Sequence, residues 1–91
     1  MRYAVLIDGK PGAYGVTFPN LPGCVAMGKT VDDALANACL VLHDWFDLSE
    51  EHGEPVPDPR PLEALRRDPD VVSALSGGAV FGSVKAPAMG A

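Results

Sequence analysis

From Thr30 to Pro59 the chain holds no lysine and no arginine. The same stretch carries eight acids: Asp32, Asp33, Asp44, Asp47, Glu50, Glu51, Glu54 and Asp58. Bases are scarce overall, seven against twelve acids, for a net charge of −5. Nucleic-acid binders neutralise phosphates with lysine and arginine, so this balance argues against direct binding to DNA or RNA. It leaves two readings of the acidic run, a solvated face or a docking face for a basic partner. Cysteine is scarce too. Cys24 and Cys39 form neither a CxxC pair nor a disulfide framework, which points to a reducing compartment. No apolar run approaches the roughly 20 residues of a membrane span. Met1 to Asp8 lacks the length and cleavage site of a signal peptide. The expectation is a cytoplasmic protein with no membrane contact. There are no internal repeats and no low-complexity tract, and 91 residues fit one domain and not two.

What is present reads as a folded domain: 47% of residues are apolar, with ten glycines and nine prolines clustered between the apolar runs. Tyr3 to Ile7 is continuously apolar, as in a central strand buried on both faces. Gly9-Lys10-Pro11-Gly12 is turn chemistry. Tyr14 to Phe18 reads as the returning strand. Pro19-Asn20-Leu21-Pro22-Gly23 interrupts the pairing, and Cys24 to Met27 resumes it. The result is a three-stranded antiparallel meander.

Thr30 is a helix N-cap with Asp33 completing a shortened capping box, and Asp32 and Asp33 suit the N-terminal dipole. The helix should run to about Glu51. At 100° per residue, Val31, Ala34, Leu35, Ala38, Leu42, Trp45 and Phe46 share one stripe, which must face the sheet. Asp33, Asn37, Leu40, Asp44, Asp47 and Glu51 share the other, where Leu40 stands as the one large apolar residue. Trp45 and Phe46 are core residues on this reading. His52 to Pro61, with four prolines, is an extended connector. Short helices follow from Pro61 to Arg67 and, with Asp68 as N-cap and Pro69 at N1, on through Leu75. Gly77-Gly78 ends the second. Ala79 to Lys85 is a fourth strand, and residues 86–91 a frayed tail.

The stretch from Tyr14 to Ala38 resembles the signature of the HicB-like antitoxin family. The matching positions are Phe18, Pro19, Leu21, Pro22, Gly23, Cys24, Gly28, Thr30, Ala34, Leu35, Asn37 and Ala38. The resemblance implies an α+β, truncated ribonuclease-H-like fold of order β-β-β-α-β, with the helix on one sheet face and the last strand beside the first. Residues 1–85 would be the family's N-terminal domain. It also implies a partner, a small basic ribonuclease toxin of the HicA type that is silenced by being covered. Many members carry a C-terminal DNA-binding segment. Only six residues follow Lys85 here, so promoter binding is not expected of this chain.

The residues themselves carry little chemistry. A nuclease of this fold needs several carboxylates converging on the sheet to hold Mg²⁺, and Asp8 is the only acid in the first three strands. Cys39 and His43, four apart on the helix, supply two ligands without a second pair. Gly9, Gly12 and Gly15 lead into no helix, so they form no phosphate loop. No catalytic residue, cofactor or metal site is expected. Two functions stay open. One is an antitoxin-like binding domain that meets its toxin through Asp33, Asn37, Leu40, Asp44, Asp47 and Glu51. The other is an orphan domain without a toxin. A homodimer or larger assembly is expected in either case, because Cys24 to Met27 would be a sheet edge without charged residues.

Overall fold

The sheet is built outward from its first strand. In the computed structural model, which describes residues 2–21 and 23–86, β1 (Arg2–Lys10) pairs with β2 (Ala13–Thr17) on one side and with β4 (Val80–Lys85) on the other. β3 (Val25–Gly28) pairs with β2, giving an antiparallel sheet of order β3-β2-β1-β4. Pro11-Gly12 forms the tip of the first hairpin, where Lys10 faces Ala13. Gly12 takes a φ of 93°, a conformation that a side chain would strain, while proline before it fixes the φ the turn needs.

Strand alternation sends Tyr3, Val5, Ile7, Val16, Ala26 and Val84 to one face. There they meet Ala34, Ala38, Leu42 and Phe46 of α1 (Val31–Glu51). The helix limits and its N-cap are those the sequence predicts, with the Thr30 Oγ1 accepting from the Asp33 N–H at 3.0 Å. Phe46 meets the Tyr3 ring edge-on, centroids 6.0 Å apart. The Tyr3 hydroxyl donates to the Pro57 carbonyl at 2.6 Å, tying the connector to the sheet. Trp45 departs from its expected place: it is only partly buried at the margin of the core, because the helix axis turns residue 46 rather than 45 squarely onto the sheet.

The second face of β1 is also covered. Leu6 packs with Leu65 of α2 (Leu62–Leu65) and with Val71 of α3 (Pro69–Ser76), joined by Ala79 and flanked by Ala4, Ala74, Leu75 and Phe81. Burying an aliphatic side chain of this size stabilises by about 1.5–3 kcal/mol, which explains why β1 has no polar alternation between Tyr3 and Ile7. Ala86 is buried as well; the rest of the expected tail, residues 87–91, lies outside the described residues.

Arg60 joins the connector to the loop between β2 and β3. Its guanidinium donates to Asn20 Oδ1 at 2.6 Å, to the Pro19 carbonyl at 3.3 Å and to Asp68 Oδ2 at 3.1 Å. Asn20 in turn donates to the Asp58 carbonyl. Asp68 also caps α3, accepting from the Asp70 N–H at 2.9 Å. That backbone donor first, and Arg60 second, hold the Asp68 carboxyl below its ordinary range. Because the folded state prefers the ionised form, the contribution to stability is present above the unfolded value of about 3.9 and is lost as pH falls below it. Asp68→Asn keeps an equally good cap but not the charge. Its deficit relative to the parent, read from urea midpoints, should be present at pH 7 and shrink as pH is lowered below about 4 and through the depressed folded value. A deficit unchanged by acid would refute this.

Candidate partner-binding surface

One side of α1 faces the sheet, and the opposite side is left to solvent. Ala34 and Ala38 are fully buried, and these small side chains let the helix lie close to β2 and β3. Gly28 serves the same approach, since a Cβ there would sit 2.7 Å from the Ala34 Cα and 2.8 Å from the Asp33 carbonyl carbon. With that side fixed, Asp33, Asn37, Leu40, Asp44, Asp47 and Glu51 all lie exposed. Their alternating spacing of four and three sets them in a row about 27 Å long, at 1.5 Å per residue.

The structure separates these six residues by what they touch. The Asn37 amide donates to the Met27 carbonyl at 2.7 Å, so this residue fastens α1 to the outer strand and is not simply free for a partner. Leu40 is 64% exposed at the middle of the row. Asp33, Asp44, Asp47 and Glu51 make no ion pair; among the described residues the one salt bridge is Arg60–Asp68. The acids therefore project a single-signed field. Leu40 is not the lone outward apolar residue that the helical wheel implies. Leu48 is 56% exposed one step around the helix, beside the partly buried Trp45. The signal for it is the row Val41, Trp45, Leu48, which runs between the core stripe and the acidic one.

Among the described residues, no group of three or more His, Cys, Asp or Glu is placed to hold a metal, and no helix is long and apolar enough to cross a membrane. Burial pushes the Cys24 thiol above its usual pKa, so at neutral pH it stays protonated and a poor nucleophile.

Residues 3–79 match the family described as the HicB_like antitoxin of bacterial toxin-antitoxin systems. Among individual proteins, the chain is 36% identical over 58 residues to the UPF0150 protein Ta0767 of Thermoplasma acidophilum, covering 63% of this chain and 84% of that one. It is 37% identical over 65 residues to antitoxin HicB of Escherichia coli K12, covering 70% of this chain and 47% of that protein. It thus spans about half the length of that antitoxin. The N-terminal domain of Burkholderia pseudomallei antitoxin HicB superposes with a TM-score of 0.76 at 28% identity, over 97% of this chain and 100% of that one. A chain from a solved HicA3–HicB3 toxin–antitoxin complex shares the fold, with a TM-score of 0.76 at 24% identity and the same coverage. The strand order, the capped long helix and the extent of the match lead to one conclusion: the chain belongs to the HicB-like antitoxin family of bacterial toxin–antitoxin systems.

Proposed function

We propose that this chain silences a small basic ribonuclease toxin of the HicA type by covering it, and that the outer face of α1 is where the two meet. The observation that carries this reading is the row of exposed acids on α1 with no ion-pair partner among the described residues. Family membership supports a toxin as the partner. The chain acts by binding in the cytoplasm, without catalysis and without touching nucleic acid itself, and residues 1–85 are the working domain. It does so as a homodimer or larger assembly. β3 is an edge of the sheet, contains no charged residue, and exposes Val25 and Met27. Light scattering at tens of micromolar should give more than the mass of one chain; the monomer mass would count against assembly.

Charge and apolar contact act on different rates. Complementary fields speed encounter by roughly 10-fold to 10³-fold and fade with salt, because exposed charges are screened beyond about 8 Å at physiological ionic strength. Residence time depends on desolvated apolar contacts. Reversing Asp44 and Asp47 to Lys should therefore slow association with the toxin about tenfold or more at low salt. Leu40→Ala should mainly speed dissociation. Stopped-flow mixing of toxin and antitoxin reads both rates, and an association rate indifferent to the reversal would remove α1 from the interface.

A further inference from the structure

The sheet face away from α1 is only half covered. α2 and α3 close it over β1 and β4, but β2 and β3 are left open. Two rows cross this open part in register. Leu6 pairs with Thr17, which pairs with Val25; Asp8 pairs with Gly15, which pairs with Met27. Val25 and Met27 are 54% and 68% exposed. Next to this open part, between β1, the Thr17 end of β2 and the loop after β2 on one side and the first turns of α3 on the other, runs a trough of about 300 Å³.

Its floor and inner wall are apolar, formed by Leu6, Val71 and Ala74 with the Thr17 side of β2. Its rim is acidic. Asp8 stands at one side, its carboxylate reaching across β2 so that a Cβ on Gly15 would meet Oδ1 at 3.1 Å. Asp70 stands opposite, on α3. Asp68 also borders the trough, but it is occupied by Arg60 and by the Asp70 N–H. Asp8 and Asp70 have no ion-pair partner among the described residues.

We propose that this trough receives a long cationic side chain, arginine or lysine, carried by a partner polypeptide. The shape and the charge select the same ligand. An aliphatic stem covers the apolar floor while the charged head stays at the rim, the way such side chains partition between apolar surface and water. A carboxylate or phosphate is repelled by the rim. A purely apolar side chain would desolvate Asp8 and Asp70 without compensating them, which is costly. The volume lies at the small end of ligand pockets, about 300–1,000 Å³, and suits one side chain rather than a whole helix. The trough lies on the sheet face opposite α1, so it stands or falls apart from the α1 interface.

The test is an NMR titration of the full chain with N-acetyl-arginine amide, alongside the neutral isostere N-acetyl-citrulline amide. The arginine probe should give saturable shifts at the amides of Leu6, Thr17, Val71 and Ala74, and the citrulline probe should not. Asp8→Asn combined with Asp70→Asn should weaken binding about tenfold, as expected for lost charge-assisted hydrogen bonds. Ala74→Leu, which fills the trough and keeps both carboxylates, should abolish the shifts, and the same spectra report whether each variant is folded. Shifts confined to Asp44 and Asp47, equal shifts with citrulline, no shifts at all, or binding that survives Ala74→Leu would each overturn the proposal.

Discussion

Phe46→Ala should be among the most damaging single substitutions in this chain. The ring is 2% exposed, packs edge-on against Tyr3 and belongs to the main core beneath α1. Truncating a buried aromatic costs about 3–5 kcal/mol, combining lost transfer energy with a cavity that the surroundings only partly fill. Small domains hold roughly 5–15 kcal/mol in total, so the variant should lose much of its stability or fail to fold at 37 °C. Trp45→Ala should cost clearly less, because Trp45 sits at the margin with one side toward solvent. Urea midpoints for the two variants settle the order, and a larger loss at Trp45 would mean that α1 is rotated on the sheet.

Gly28 is the second sensitive point, for the opposite reason. A methyl group there would collide with the backbone of Asp33 and Ala34, and backbone cannot step aside as a flexible side chain does. The first turn of α1 must lift away, straining both the Thr30 cap and the Asn37–Met27 bond. Overpacking of this kind costs about 1–3 kcal/mol. Gly28→Ala should therefore fall near the top of that range. The damage should appear locally, as faster hydrogen exchange through residues 31–38. A variant with unchanged stability would show that helix and strand do not approach as closely as described.

These two residues mark what can be read from the chain and what cannot. The meander, the Thr30 cap, the end of α1 and β4 follow from local patterns: period-two runs, a 3.6-residue period, and proline and glycine at the breaks. The close approach at Gly28 and the choice of Phe46 over Trp45 depend on how far a helix rolls on its sheet, which a helical wheel resolves only to one residue. The short helices were legible as helices. Their position against Leu6 was not, since four and eight residues carry too little periodicity to define a buried face. The apolar run from Tyr3 to Ile7 required some cover on both sides without saying which. The links from Arg60 to Asn20 and to Asp68 span 40 and 8 residues and leave no local signature. On the candidate surface, the exposed acids and Leu40 were visible in the pattern. The anchoring of Asn37 and the exposure of Leu48 come only from tertiary packing.

Whether this antitoxin-family chain binds a basic toxin through charge can be read by capturing the tagged chain from its native host at low and at high salt. One small basic protein with ribonuclease activity should co-purify at low salt and be depleted at high salt. Recovery of the chain alone under both conditions would contradict such binding and leave the domain an orphan.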